Sequence, residues 1–427
     1  MATVLIIMSV GSHQNATFGL AKELQRAGYN IVYAGSQKGI YQENLDLNIK
    51  IQGFDYEILD PYAFKSGIEA DKEYDESTND FINFAQNIYD GSLFENFIER
   101  VQPDIILLDI HLPLYAIAFY PFKIPVFFIS TELLTTKNDI NPPLNSSLIP
   151  CSDNQYKYDI SSEWDKSLKH NIMHPGIKYF IEELSTKYSF PIEEYLSQKC
   201  IVPFGLKYPE LILWPQEFEF RTGTIADNIY YVGSWVDIER YEEEFDWSNI
   251  ISDVPLVYCS LGTVVNHELL VSFLNKLINT FDLLPQYQFI ISAGRVYELL
   301  KKSSSSSRHI HIFEKVPQLT VLKKSHLMIS LGGANSILES ISLGVPLLCY
   351  PFHSDQFGNS ARVEFHKLGL RGDFFKDSSE EITIKIKKIL SDTGYRDRML
   401  HFQNTFNSSN LELVKEIIEK ALLKRHL

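Results

Sequence analysis

The sequence has little basic charge and few cysteines, and each shortage excludes a class of protein. Its 39 Lys and Arg residues are outnumbered by 54 Asp and Glu residues, which gives a net charge of −15. Nucleic-acid binding needs a basic face that this balance does not favour. The four cysteines are widely separated and form no C-x-x-C pair. We therefore expect buried free thiols and a reducing, cytoplasmic location rather than a disulfide framework.

The chain also lacks a secretory signal and an uninterrupted apolar run. Its first residues, MATVLIIMSVGSH, contain no basic segment and no A-x-A cleavage site, so we interpret them as a first β-strand. The most apolar stretch, residues 105–130, is interrupted by Asp109, His111, Lys123 and three prolines. This pattern favours strand–helix–strand over a transmembrane helix. Basic residues near the C-terminus leave peripheral membrane contact open.

What is present is an alternation of strand-like and helix-like segments, in two halves. The first half has apolar strands at Thr3–Met8, YNIVYAG, PDIILLD and IPVFFIS, with a helix from about Thr17 that ends at Gly28. The second half restarts at Pro255–Thr263, after the acidic segment DIERYEEEFDW. A chain of 427 residues is long enough for two domains. The pattern predicts an α/β fold of two doubly wound, Rossmann-like domains facing a central cleft.

The same pattern predicts the domain boundaries. Residues 1–235 form an N-terminal domain, and an insertion at about 141–197 breaks its alternation. Residues 236–409 form a C-terminal, nucleotide-binding domain. Residues 410–427 are predicted to form an amphipathic helix that packs back toward the N-terminal domain.

The stretch SLGGANSILES, Ser330–Ser340, follows a strand and begins a helix. Gly332 and Gly333 allow backbone N–H groups to approach a ligand, and the helix start adds unpaired donors and a positive dipole end. Asn335 and Ser336 supply further donors, so the stretch favours phosphate binding. A capping box, in which Ser336 and Glu339 merely start the helix, is the structural alternative.

A second loop, PFHSDQ, follows the next strand and contains Asp355 and Gln356. Open α/β sheets bind ligands at the carboxyl ends of their strands. A carboxylate beside an amide suits the vicinal hydroxyls of a sugar, because the first accepts hydrogen bonds and the second both donates and accepts. A loop pair without function is the alternative.

From VPQLTVL to PFHSDQ, the sequence resembles the donor-binding signature of family-1 UDP-sugar glycosyltransferases of the GT-B fold, such as bacterial macrolide and natural-product glycosyltransferases. The resemblance rests on the spacing of Pro317–Gln318, Gly333, Asn335–Ser336, Glu339, Gly344–Val345–Pro346, Pro351 and Asp355–Gln356. It implies that Gln318 and Glu339 contact the base and ribose, that Asn335 and Ser336 contact the phosphates, that Asp355 and Gln356 hold the sugar, and that Thr263 lies near the diphosphate.

Two positions depart from the family's pattern. Leu331 stands where the family has a histidine on the diphosphate, and Lys315 stands where a tryptophan stacks on uracil. Each loss weakens binding by roughly 1–3 kcal/mol, while the backbone N–H groups remain.

The segment VGSHQNATFGLAKEL resembles the family's G-H-x-N-P loop, which implies that His13 is the catalytic base and points into the cleft. Asp109, at the end of PDIILLD, matches the acid that pairs with this histidine, and His111 is the competing base. An imidazole can take a proton from an acceptor hydroxyl, and a carboxylate fixes its tautomer.

The sequence thus predicts an inverting UDP-glycosyltransferase that moves a hexose to a lipophilic, hydroxylated small molecule. The resemblance implies that residues 1–235 bind this acceptor and that residues 236–409 bind the nucleotide sugar. UDP-glucose is the favoured co-substrate, no other cofactor is expected, and the missing D-x-D motif indicates no metal requirement. A nucleotide-sugar epimerase is one alternative. A non-catalytic relative that binds a nucleotide sugar or acts as a partner protein, prompted by Leu331 and Lys315, is another.

Overall fold

The structure is a computed structural model that describes most of the chain. The described ranges are 1–9, 11–36, 50–60, 92–150, 155–170, 175–197, 200–201, 205–223, 226–262, 267–303, 307–406 and 409–425. Thr263, predicted to lie near a diphosphate, is outside the described residues, as is Cys151.

The first sheet has eight strands in the order β3-β4-β2-β1-β5-β6-β9-β10. Its pairings are parallel except for the antiparallel pair of β3 and β4. A short antiparallel hairpin, β7 with β8, lies outside it. The strands are β1 (Thr3–Ile7), β2 (Asn30–Ser36), β3 (Lys50–Ile51), β4 (Phe54–Asp60), β5 (Ile105–Asp109), β6 (Val126–Ser130), β7 (Leu196–Ser197), β8 (Gly205–Leu206), β9 (Glu210–Ile212) and β10 (Ile229–Tyr231).

The second sheet has six parallel strands in the order β13-β12-β11-β14-β15-β16. This is the strand order of a doubly wound nucleotide-binding sheet. The order in which the chain adds strands changes direction between β11 and β14, although all six strands are parallel. The strands are β11 (Leu256–Ser260), β12 (Gln288–Ser292), β13 (Ile310–Phe313), β14 (Leu327–Ser330), β15 (Leu347–Cys349) and β16 (Gly369–Arg371).

Helices alternate with these strands, as the sequence predicts. Those in the first half are α1 (Gly11–Arg26), α2 (Leu93–Val101), α3 (Pro113–Phe119), α4 (Tyr156–His170), α5 (Pro175–Lys187) and α6 (Ile192–Tyr195). Those in the second half are α7 (His267–Asp282), α8 (Tyr297–Ser303), α9 (Gln318–Leu322), α10 (Ala334–Ser342), α11 (Gln356–Phe365), α12 (Ser379–Ser391), α13 (Thr393–Phe406) and α14 (Leu411–Arg425). None of the helices in the described ranges is long and apolar enough to cross a membrane.

Two helix starts differ from the prediction. Helix α1 begins at Gly11 rather than near Thr17, so His13 belongs to its first turn and not to a loop. Helix α10 begins at Ala334 with Gly333 as its N-cap and without a side-chain cap. Ser336 therefore lies inside the helix, and the capping-box alternative for Ser336 and Glu339 is wrong. The predicted end of α1 is confirmed, because Gly28 adopts a left-handed φ of 96°.

The two halves pack tightly against each other on one side of the cleft. Arg362 on α11 donates to Glu219 Oε2 from Nε at 2.8 Å and from Nη2 at 2.5 Å, and both side chains are fully buried. Close by, the Gly358 N–H donates to the Leu144 carbonyl at 2.7 Å. The predicted domain boundaries stay a prediction, but β10 ends at Tyr231 and β11 begins at Leu256, on either side of residue 235.

The C-terminal helix α14 lies against the first sheet. Its residues Val414 and Ile418 are fully buried in the same apolar cluster as Leu20 and Leu24 of α1. Cys200, Cys259 and Cys349 are buried, and within the described ranges they form no disulfide.

Candidate active site

A histidine–carboxylate pair lies at the carboxyl edge of the first sheet. His13 Nδ1 is 2.7 Å from Asp109 Oδ2, with 20% of the His13 side chain exposed and 1% of Asp109. Ser9 donates to the same oxygen from its hydroxyl at 2.6 Å and from its N–H at 2.9 Å. The His111 N–H donates to Asp109 Oδ1 at 3.0 Å. The two predicted catalytic residues are therefore in contact.

Sheet topology brings these residues together. Strands β1 and β5 are parallel neighbours, so their carboxyl ends meet at one edge. His13 follows β1 on the first turn of α1, and Asp109 is the last residue of β5. This is the point at which the strand order reverses, where doubly wound sheets bind ligands.

The contact between His13 and Asp109 shifts the pKa of both side chains. Burial disfavours the charged imidazole, but the charge and hydrogen bond of Asp109 outweigh it and raise the pKa of His13 above its ordinary value of 6.5. Burial alone would raise the pKa of the Asp109 carboxyl, yet His13 and the Ser9 hydroxyl hold it well below its usual range. Asp109 thus stays ionised and fixes the Nδ1–H tautomer of His13, which leaves Nε2 as the nitrogen that can accept a proton.

A second pair, which the sequence analysis did not predict, lies beside the first. His111 Nε2 is 3.3 Å from Glu132 Oε1, an ion-pair contact without hydrogen-bond alignment. The rings of His13 and His111 are 5.3 Å apart between centroids. Burial opposes the charged form, but Glu132 raises the pKa of His111 to about 9. His111 is therefore protonated at neutral pH and cannot accept a proton there.

Three side chains at this edge are spaced closely enough to share a divalent cation. His13, His111 and Glu132 offer ligand atoms that all lie within 4.8 Å of one another. The missing D-x-D motif predicts no metal requirement, and that prediction stays a prediction.

In the second half, the glycine loop and the start of α10 face the same cleft. Asn335 Nδ2 donates to the Ser12 carbonyl at 2.6 Å, which joins the first turn of α10 to the first turn of α1. A Cβ added to Gly333 would meet no heavy atom within 4 Å, so open space lies in front of it. Ser336 is half-buried on the first turns of α10. Two helix N-termini therefore converge on one place, and their dipoles favour an anion between them.

The two departures from the family's pattern have different surroundings. Leu331 is 4% exposed and belongs to the apolar core beneath the second sheet. It contributes packing at that position and no phosphate donor. Lys315, by contrast, is exposed.

The two residues predicted to contact the nucleoside are directly hydrogen-bonded. Gln318 Nε2 donates to Glu339 Oε2 at 2.6 Å. The Tyr258 hydroxyl donates to Gln318 Oε1 at 3.2 Å. Glu339 is 2% exposed, and its other oxygen accepts from Arg240 Nη1 at 2.6 Å. Arg240 was not predicted from the sequence.

The residues predicted to hold the sugar sit at the start of α11. Asp355 Oδ2 accepts from Asn359 Nδ2 at 2.7 Å. Burial, reinforced by the charge of Glu132, raises the pKa of Asp355 to about 7. The side-chain oxygen Oε1 of Gln356 accepts from the N–H groups of Phe352 and His353 at 2.9 and 3.1 Å, so it shapes the loop. Because Asp355 interacts with charges on the first half, this loop faces the His13 edge.

These features are those of a known family. The family described as UDP-glucoronosyl and UDP-glucosyl transferase matches residues 9–410. The chain belongs to this family. The resemblance stated from the donor signature is confirmed.

Individual relatives are distant. The chain is 24% identical over 172 residues to the zeaxanthin glucosyltransferase of Pantoea ananas, a match that covers 40% of this chain and 39% of that protein. It is 20% identical over 415 residues to YojK of Bacillus subtilis, an uncharacterized UDP-glucosyltransferase, covering 93% and 92%. The chain thus spans well under two thirds of the zeaxanthin glucosyltransferase, and 52% of human UDP-glucuronosyltransferase 3A1.

Solved structures share the fold. The glycotransferase of kitacinnamycin matches with a TM-score of 0.69 and 16% identity over 99% of both chains. CalG4, the calicheamicin glycosyltransferase, matches with a TM-score of 0.67 and 17% identity over 99% of both chains. The predicted α/β, GT-B fold class is confirmed.

Proposed function

We propose that this protein is an inverting glycosyltransferase that moves a hexose, glucose being favoured, from a uridine diphosphate sugar to a hydroxyl of a lipophilic small molecule. The observation that carries the proposal is the pairing of His13 with Asp109 at 2.7 Å on one side of the cleft, opposite the start of α10. The Asn335–Ser12 hydrogen bond keeps these two sides close. A base and an anion-stabilising helix start are the two parts that such a displacement needs.

In the proposed reaction, His13 Nε2 takes the proton of the acceptor hydroxyl as that oxygen bonds to the anomeric carbon. The bond between the anomeric carbon and the diphosphate oxygen breaks, and the diphosphate leaves with the electron pair. Asp109 stabilises the imidazolium that forms. Attack opposite the leaving group turns an α-linked donor into a β-glycoside.

The leaving diphosphate gains its stabilisation from backbone groups. N–H donors at Gly333 and the first turn of α10, with the helix dipole, are oriented before the reaction and need no rearrangement. Asn335 and Ser336 are the side-chain donors we assign to the phosphates. Asp355 and Gln356 are assigned to the sugar hydroxyls, and Thr263 to the diphosphate.

His13 is favoured over His111 as the base by electrostatics. The pKa of His111 is about 9, because Glu132 stabilises its charged form, so this ring has no free lone pair at neutral pH. A positive ring next to His13 also opposes full protonation of His13. The acceptor and the exact sugar are proposals that follow from the resemblance, and a cytoplasmic location is a proposal that follows from the unpaired cysteines.

The proposal is tested with a thermal-shift panel of UDP, TDP, GDP and ADP and their glucose conjugates. A ligand that binds only the folded protein stabilises it by RT ln(1 + [L]/Kd), so millimolar concentrations reveal weak sites. We expect the largest shift with the uridine compounds. No shift with any nucleotide would contradict the proposal and favour a non-catalytic partner protein. Loss of UDP-glucose without any acceptor would point instead to epimerase-type chemistry.

A further inference from the structure

The segment that connects the two sheets lies against the nucleoside end of the proposed donor site. Within this linker, defined here as residues 232–255, Arg240 is mostly buried, with 11% of its side chain exposed. Its Nη1 donates to Glu339 Oε1 at 2.6 Å, and its Nη2 is 3.4 Å from Glu242 Oε1. Arg240 therefore joins the linker to the carboxylate that we assign to the ribose.

The linker also holds the helix that carries Gln318. Glu242 Oε1 accepts from the Leu319 N–H at 3.1 Å, and Glu242 Oε2 accepts from the Thr320 N–H at 2.9 Å. These are donors on the first turn of α9, which has no side-chain cap of its own. Arg240 and Glu242 thus fix both of the residues assigned to the nucleoside.

The hydrogen bonds of Glu339 leave acceptor positions for a ligand. A carboxylate has about four lone-pair positions. Two are used in the structure, one by Arg240 and one by Gln318. The remaining two suit a pair of vicinal hydroxyls, such as those of ribose, without breaking either contact.

We propose that Arg240 is a positioning residue for the nucleotide: it holds the Glu339 side chain in the orientation in which the carboxylate accepts hydrogen bonds from both ribose hydroxyls. This inference rests on the proposed function, because it takes the ligand to be a nucleoside diphosphate sugar. Without Arg240, Glu339 is an almost fully buried carboxylate with only a neutral amide beside it. Such a group has lost the contact that fixes its orientation, and a carboxylate that turns away no longer offers its acceptors to the ribose.

The test measures UDP affinity by calorimetry and initial rates with UDP-glucose. Arg240→Met should raise the Kd of UDP by about 10- to 100-fold, the effect of losing a charge-assisted contact. The KM for the donor should rise in proportion, while kcat at saturating donor and the KM for the acceptor stay within about two-fold. The UDP affinity of Arg240→Lys should lie between those of the unmodified protein and Arg240→Met, because lysine keeps the charge but not the paired geometry.

Lys323→Met is the matched control. Lys323 Nζ is 3.5 Å from Glu239 Oε1, so this variant also removes a cation that ties the linker to the second half, but at an exposed ion pair away from Glu339. Its UDP affinity should be unchanged. In a Glu339→Gln background, Arg240→Met should have little further effect, since Arg240 acts through Glu339.

The possible outcomes distinguish a failure of this inference from a failure of the proposed function. Unchanged UDP affinity in folded Arg240→Met would overturn the inference and leave the proposed function intact. Tighter binding would also overturn it, and would mean that the arginine blocks the pocket. Absence of nucleotide binding in the unmodified protein would refute the proposed function, and the inference with it. If Arg240→Met does not fold, Arg240→Lys and its double variant with Glu339→Gln provide the same comparison.

Discussion

Two adjacent glycines in the donor loop should respond in opposite ways to the addition of one methyl group. Gly332 has a φ of +84°, and a Cβ there would lie 2.2 Å from Ser360 Oγ and 3.3 Å from the Gln356 carbonyl oxygen. A left-handed backbone costs a non-glycine residue roughly 1–2 kcal/mol. Gly332→Ala should therefore lower the free energy of unfolding by at least this amount, with a further cost for moving Ser360.

Gly333 has ordinary backbone angles, with φ −66° and ψ 148°, and open space around its Cβ position. Replacing glycine by alanine at such a site stabilises by about 0.4–1 kcal/mol through the unfolded chain. Alanine is a poorer N-cap than glycine, at a cost of roughly 0.5–1 kcal/mol. These effects nearly cancel, so Gly333→Ala should leave stability almost unchanged.

The loss of UDP affinity should follow the reverse order, and should be larger in Gly333→Ala than in Gly332→Ala. The new methyl group of Gly333→Ala would occupy the space in front of the first N–H groups of α10. A diphosphate displaced from one of these donors loses a charge-assisted hydrogen bond worth about 1.5–3 kcal/mol. This corresponds to a loss of roughly 10- to 150-fold in UDP affinity.

The assay combines urea denaturation with calorimetry of UDP binding on both variants. We expect Gly333→Ala to fold normally and bind weakly, and Gly332→Ala to lose stability first. Normal UDP affinity in Gly333→Ala would refute the reasoning, because the diphosphate would then lie elsewhere than at the start of α10.

Three further predictions concern the catalytic pair and the interface between the halves. Asp109→Asn should lower the transfer rate by about 10²- to 10⁴-fold, because the tautomer of His13 is no longer fixed, and should leave the UDP affinity within a few-fold. An unchanged rate would exclude the His13–Asp109 pair from catalysis. The transfer rate should fall as the pH drops through the raised pKa of His13, above 6.5, since the protonated ring cannot accept a proton. In Asp109→Asn, the fall in the residual rate should occur at lower pH. A fall at the same pH in both proteins would indicate another base. Glu219→Gln should destabilise the protein by about 3–5 kcal/mol in urea denaturation, because it leaves Arg362 buried without its counter-charge, and an effect below about 1 kcal/mol would mean that this pair is hydrated.

The alternating pattern predicted the architecture because buried parallel strands must be apolar and must be separated by helices. PDIILLD and PLVYCSLGT became β5 and β11, at the centres of their sheets. The contact of His13 with Asp109 was also predictable, since both residues follow neighbouring parallel strands.

Helix starts were less predictable. GSHQNA, at the beginning of α1, contains polar residues and a glycine that favour a loop. Its helical form depends on packing, because Gln14, Ala16 and Thr17 are buried in the structure. Tertiary contacts therefore outweighed local propensity.

Contacts between distant segments that no motif and no pair of neighbouring strands brings together could not be predicted from the sequence. Arg240 and Glu339 are 99 positions apart, and Asn335 and Ser12 are 323 positions apart. Neither separation leaves a periodic signal. Glu132 was missed for a similar reason, because it lies just after β6 and acquires its role only through His111.

The central claim is that His13 deprotonates an acceptor for attack on a nucleotide sugar bound across the cleft. Its most direct test compares the unmodified protein, His13→Ala and His111→Ala with UDP-glucose and a panel of lipophilic alcohols and phenols, by mass spectrometry and by the anomeric coupling constant of the product. The account predicts a β-glycoside from the unmodified protein and from His111→Ala, and no product from His13→Ala although its UDP affinity stays within a few-fold. Equal turnover by His13→Ala would contradict the account.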